Sequence, residues 1–137
     1  MTRNVFLSFE QEDLDLVNLF RGQVKNPSNP LEFSDYSVKV PFDSTNADYI
    51  KREIKDLINK SSVTLCLIGY RTQSSRWVNW EIRMSRELKK GLVGVKLHNS
   101  PLDLTPDQLT YADAEIVNWE IPKIVDAIER AEKRSGH

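Results

Sequence analysis

Apolar residues in this chain fall into short runs separated by amphipathic stretches, in regular alternation. Asn4 to Phe9 reads as a buried strand, being short and mostly apolar. Asp13 to Val24 reads as a helix. Leu14, Val17 and Phe20 share one face, and acids occupy the first turn, where the helix dipole favours them. Asn26-Pro27-Ser28-Asn29-Pro30 has loop chemistry, and Leu31 to Phe33 begins a weaker strand. Pro41 to Thr45 is another break. Asp43, Ser44 or Thr45 can then cap a helix running to Lys60, in which Ile50, Ile54, Leu57 and Ile58 recur at helical spacing. Ser62 to Ile68 is the strongest strand, an almost continuous apolar run suited to burial on both faces, and Gly69 ends it. Trp77 to Lys90 reads as a helix stopped by Gly91, and Leu92 to Leu97 as a fourth strand. His98 to Ala114 reads as a long polar loop, and Glu115 to Trp119 as a short fifth strand. Pro122 suits the first turn of a last helix with Ile121, Ile124, Val125 and Ile128 facing inward, and Ala131 to His137 is expected to fray.

Strands alternating with helices imply right-handed crossovers and a parallel sheet. The expected fold is α/β: a single flavodoxin-like domain over residues 1–137, with a five-stranded parallel sheet in the order 2-1-3-4-5 and helices on both faces. Ligands in such sheets bind beyond the carboxyl ends of the strands, at the switch point beside strand 1. That places Ser8, Phe9, Glu10, Gly69, Tyr70 and the segment around Trp77 near any active site.

Composition narrows the classes. A length of 137 residues suits one domain, and 39% hydrophobic residues suffice for a core. Lys and Arg number 19 against 20 Asp and Glu, a net charge of −1, so no basic excess points to nucleic acid and no polybasic run to a membrane surface. No apolar run is long enough to span a bilayer, and the first residues lack a signal-peptide pattern, so a cytoplasmic setting is expected. The single cysteine, Cys66, excludes an internal disulfide and reads as an inert core thiol; with only His98 and His137 as histidines, no metal centre is expected. The five glycines fit neither the dinucleotide nor the phosphate-loop pattern. The third strand ends Leu67-Ile68-Gly69, without the Asp of a phosphoacceptor, no Gly-x-Ser-x-Gly elbow exists, and His98 reads as part of a solvated loop.

One residue breaks the pattern. On a helical wheel started at Trp77, with about 100° per residue, Leu88 falls near ~20°, Met84 near ~340°, Trp80 near ~300°, Val78 near ~100° and Ile82 near ~140°. Glu81 lands near ~40°, inside this apolar arc, while Asn79, Arg83, Arg86, Glu87 and Lys90 fill the opposite one. A carboxylate there is either satisfied in the interior by an Arg, an amide or water, or faces a cavity at the upper rim of the sheet. The helix starts at the carboxyl end of a central strand, and Trp77 and Trp80 flank the acid, which suits a flat cationic or heteroaromatic ligand; core packing is the other use of either tryptophan. A lone carboxylate also limits the chemistry. Ordinary glycoside hydrolysis needs two, whereas a nicotinamide leaving group departs neutral and needs no proton donor. What remains is stabilisation of an oxocarbenium-like ribose, which one ionised Glu can supply.

Three blocks then resemble one family in order: Val5-Phe6-Leu7-Ser8-Phe9, Ser62-Val63-Thr64-Leu65-Cys66-Leu67-Ile68-Gly69, and Ser75-Arg76-Trp77-Val78-Asn79-Trp80-Glu81-Ile82. Together they are similar to TIR-like domains, and most of all to the TIR-like component of bacterial Thoeris antiphage systems, over roughly the first hundred residues. Val78 stands where many relatives have Cys. The resemblance implies an NAD-consuming enzyme of antiviral defence, a hydrolase or cyclase in which Glu81 is catalytic, Phe6 and Ser8 line the pocket, and Trp77 and Trp80 shape its wall. Asp35 is a further substrate-binding candidate, although a turn-forming role also explains it. NAD is then substrate and no cofactor is implied. The product would be a cyclic or otherwise modified ADP-ribose that activates a separate effector, and self-association through Tyr36 to Asn46 would complete the site. Two other readings stand beside this one: a non-catalytic TIR-like adaptor, and a nucleoside-type glycosyl transferase.

Overall fold

Five strands of the computed structural model form one parallel sheet in the order β2-β1-β3-β4-β5. They are β1 (Arg3–Ser8), β2 (Leu31–Ser34), β3 (Val63–Ile68), β4 (Gly91–Lys96) and β5 (Glu115–Asn118). The structure describes residues 3–24, 31–36 and 40–136. The expected loop at 26–30 therefore lies outside the described residues, as do parts of the Tyr36 to Asn46 segment. All six residues of the central strand β3 are buried, as a run flanked by strands on both sides and helices on both faces must be. The edge strands β2 and β5 are only partly buried, in keeping with their weaker sequence signal.

Side chains alternate across the sheet and divide the core in two. Val5 and Leu7 of β1 join Leu65, Leu67, Val93 and Val95 beneath α1 (Leu14–Gln23) and α5 (Ile121–Arg134), which contribute Val17, Phe20, Ile124 and Ile128. On the other face Phe6 packs with Ile50, Ile54 and Ile58 of α2 (Ala47–Asn59) and with Trp80 of α3 (Arg76–Glu87). Cys66 and Ile68 pack with Val78 and Ile82 of α3 and with Leu109 of the short α4 (Asp107–Tyr111).

Several boundaries differ from expectation for physical reasons. Ser75 caps α3, its hydroxyl accepting the Val78 N–H at 3.1 Å. The helix ends at Glu87 rather than Lys90: Lys89 turns into the left-handed region (φ 60°), and the Lys90 N–H donates to the Ser85 carbonyl at 2.9 Å. Gly91 therefore does not stop the helix. It opens β4, and its missing side chain admits α5, because a Cβ there would lie 2.8 Å from the Ala131 carbonyl oxygen. The α2 N-terminus has no side-chain cap from its Asn46, and Ser44 helps only through its carbonyl, which accepts the Ala47 N–H at 3.1 Å. The expected long loop after His98 holds α4, one turn anchored by the fully buried Leu109. Helix α5 continues through Ala131, which is buried, to Arg134, so the expected fraying does not begin there. Among the described residues no helix is long and apolar enough to cross a membrane.

Candidate active site

The carboxyl end of β1 reaches α3 through one hydrogen bond. The Ser8 hydroxyl donates to Glu81 Oε1 at 2.6 Å, and neither residue is exposed to solvent. Ser8 is the last residue of β1 and is level with Cys66 of β3. The chain leaves β1 for β2 on one side and β3 for β4 on the other, so this pair of strands is the switch point of the sheet. Glu81 sits there because it lies at the middle of the inward arc of α3, between the Phe6–Trp80 cluster and the Cys66–Val78–Ile82 cluster. A hydrogen bond to an ionised carboxylate stabilises by about 1.5–3 kcal/mol, which offsets part of the cost of burying it.

The polar seam continues one turn along. The Ser85 hydroxyl donates to the Glu81 carbonyl at 2.8 Å and shares a 2.6 Å hydrogen bond with Thr64 Oγ1, both hydroxyls being buried. Thr64 interrupts an otherwise apolar strand run, a polar position that the sequence itself shows. Burial pushes the Cys66 thiol far above its ordinary range, and the nearby charge of Glu81 raises it further, in keeping with an inert core thiol.

Glu81 does not lie open to a crevice in this structure; it is sealed beneath α3. Beside it, Trp77 and Trp80 meet edge to face at 6.1 Å. Trp77 Nε1 donates to the Val40 carbonyl at 2.8 Å, Phe42 packs edge-on against Trp77 at 5.0 Å, and Arg76 pairs with Asp43. These contacts hold residues 40–43 against the first turns of α3. A cavity of about 260 Å³ lies alongside, lined by Phe42, Arg76, Asn79, Trp80, Arg83 and Gln108. The structure thus brings Phe6, Ser8, Trp77 and Trp80 into one neighbourhood with Glu81. It does not bring Asp35, whose carboxylate pairs with Arg21 of α1, a helix packed on the opposite face of the sheet.

The same rim carries groups that the pattern of apolar residues did not reveal. Asp13 closes a single 3₁₀ turn after β1, and its carboxyl fills the space a side chain at Gly69 would need: a Cβ there would lie 2.7 Å from Asp13 Cγ. Asp13 is 7% exposed, and its Oδ2 has no hydrogen-bond partner among the described residues. Burial pushes its pKa from 3.8 to about 6, helped by the charges of Glu12, Glu10 and Asp103 and opposed by His98. His98 is not loosely solvated. Its Nδ1 lies 2.7 Å from Asp103 Oδ1, its backbone N–H donates to Asp103 Oδ2 at 2.7 Å, and the Tyr70 ring stacks on the imidazole at 3.8 Å. Among the described residues no group of three or more His, Cys, Asp or Glu is placed to hold a metal ion.

Comparisons with known proteins bear on the family and the fold. ThsB1 of Bacillus cereus (strain MSX-D12), provisionally named a cyclic ADP-D-ribose synthase, is 32% identical over 102 residues. That match takes in 72% of this chain and 53% of the relative, so the chain spans about half the length of that protein. A 3-dehydroquinate dehydratase-like protein from Bifidobacterium longum shares the fold at a TM-score of 0.52 and 14% identity, with all of both chains covered. The TIR domains of the activated Roq1 resistosome give a TM-score of 0.48 and 16% identity, covering 98% of this chain and 84% of theirs. The model of the family described as "Thoeris protein ThsB, TIR-like domain" matches residues 6–101, from β1 through β4, which include Ser8 and Glu81. The chain belongs to the TIR-like domain family of the Thoeris protein ThsB.

Proposed function

We propose that this protein cleaves the bond between nicotinamide and ribose in NAD, with Glu81 as the catalytic carboxylate. The observation that carries the reading is the buried Ser8–Glu81 hydrogen bond at the switch point of the sheet, in a chain of the ThsB family. A relative named for cyclic ADP-D-ribose synthesis supports it. In the reaction the C–N bond breaks and its electron pair passes to the pyridinium nitrogen, so nicotinamide leaves neutral and no acid is needed. The ionised Glu81 stabilises the positive charge that develops on the ribose. Water captures the ribosyl cation and gives ADP-ribose plus a proton; capture by a nitrogen of the adenine gives a cyclic product. Ser8 positions the carboxylate. Trp77 and Trp80 supply aromatic faces for the nicotinamide, and Arg76 and Arg83 beside Trp80 supply charge for the pyrophosphate.

Glu81 is sealed in this structure, so substrate entry requires residues 40–43 to release α3. The closed state is therefore a resting state, and self-association through this segment opens it. The signal product then acts on a separate effector. Mass spectrometry of NAD-derived metabolites tests the scheme in cells expressing the protein, with and without phage infection. A cyclic or modified ADP-ribose is expected with the wild type and not with Glu81→Ala.

The sealing of Glu81 also favours a second reading, a non-catalytic TIR-like adaptor in which the Ser8–Glu81 pair only specifies packing. Retained binding of partners without turnover of any nicotinamide nucleotide, in resting and assembled protein alike, would select it.

A further inference from the structure

A second cavity lies far from the switch point, at the amino end of β4. It measures about 660 Å³, within the size range of small-ligand sites, and is lined by Arg86, Lys89, Lys90, Arg134, Tyr111 and Asp113 among others. Gly91 and Ala114 also line it. Four basic residues and one acid line it, in a chain whose net charge is −1. Among the described residues none of the four forms an ion pair. Arg86 donates to the neutral Gln108 side chain at 2.9 Å, and Lys90 to the Asn59 carbonyl at 3.1 Å. The charge of Arg134 also acts on nearby Glu115, whose carboxyl it helps to hold below the ordinary range, so the positive charge of this cluster is only partly compensated. Tyr111 is exposed and offers a flat aromatic surface in the same lining.

A plainer account is that α3 and α5 both end here and that basic residues complement their negative ends. A dipole interaction of that kind needs a cation in each last turn and no cavity. It does not account for four basic residues gathered around one recess with an exposed ring.

We propose that this cavity is a second binding site, separate from Glu81, for a nucleotide carrying at least two phosphates. Guanidinium and ammonium groups hold the phosphates as charge-assisted hydrogen-bond donors, and Tyr111 stacks on the base. Helix α3 carries Glu81 on its inward arc and Arg86 five residues on, about 7 Å along the axis. Occupancy therefore bears on the same rigid element that positions the proposed catalytic residue.

Isothermal titration of the full chain with ADP, inorganic pyrophosphate and adenosine tests the site. ADP is expected to bind one equivalent, at least about tenfold more tightly than adenosine, with pyrophosphate between them. The double variant Lys89→Gln/Arg134→Gln should weaken ADP at least about tenfold. Arg52→Gln/Lys55→Gln, an equal charge change on the exposed face of α2, should not. Arg76→Gln/Arg83→Gln, which removes the charges proposed for the NAD pyrophosphate, should bind ADP as the wild type does, which separates this site from the proposed catalytic one. Absence of saturable ADP binding, or equal loss in both double variants, overturns the proposal. So does tighter binding of a single-stranded oligonucleotide than of ADP, which would make this a nucleic-acid surface. Lower thermal stability of Lys89→Gln/Arg134→Gln with unchanged ADP affinity would establish the dipole account instead.

Discussion

Replacing Asp13 by Asn should make the protein more stable at neutral pH and change little in acid. Asp13 holds its proton up to about pH 6 in the fold, against 3.8 for an ordinary Asp, chiefly because burial disfavours the charged form. Below pH 3.8 the group is protonated folded and unfolded, and burial of its charge costs nothing. As pH rises from there the unfolded chain releases the proton first, so the folded state loses stability, and the full penalty is in place above about pH 6. At about 1.4 kcal/mol for each tenfold change in proton affinity, a rise from 3.8 to about 6 corresponds to about 3 kcal/mol. Asn has the same shape and no charge to desolvate. Guanidinium unfolding of both proteins at pH 4 and pH 7.5 reads the effect, and their difference cancels the other titrating groups. The Asn variant should gain about 2–3 kcal/mol relative to wild type between the two pH values. A difference that stays constant within about 0.5 kcal/mol, or that moves in favour of Asp at high pH, would refute the assignment of a desolvated carboxyl packed on Gly69.

Ser8→Ala removes the hydroxyl that Glu81 Oε1 accepts, and should cost about 1.5–3 kcal/mol, much of which disappears in a Glu81→Gln background. A double-mutant cycle by chemical denaturation measures the coupling; additive effects of the two substitutions would show that the hydrogen bond carries no weight. Cys66, fully buried with its thiolate disfavoured, should react with an aromatic disulfide reagent at least about 10³-fold more slowly in native protein than in denaturant. Prompt stoichiometric labelling of the native chain would contradict that.

The fold was legible in the sequence because its strongest signals are local. The Val63 to Ile68 run announces a strand covered on both faces, and α2 shows its buried stripe at Ile50, Ile54 and Ile58. Glu81 was legible for the same reason, as an acid inside an otherwise apolar arc on a helix leaving the central strand. Features set by distant contacts were not. Gly91 resembles a helix stop, yet its role depends on Ala131, forty residues away. Asp13 resembles ordinary first-turn chemistry, and only the fold brings it against Gly69. Helix α4 is too short for a period to show, and the His98–Asp103 pair depends on a loop that turns through Asn99 at φ 51°. Whether Glu81 is closed beneath α3 or opens to a cavity was left undecided by the sequence, since a wheel gives direction without depth.

The most direct test of the account compares nicotinamide release from NAD by assembled wild-type protein and by Glu81→Gln, with circular dichroism confirming that both are folded. Loss of one preorganised charge at a developing cation predicts a fall of at least about 10²–10³-fold. Equal rates in the two proteins would contradict the assignment of Glu81 as the catalytic group.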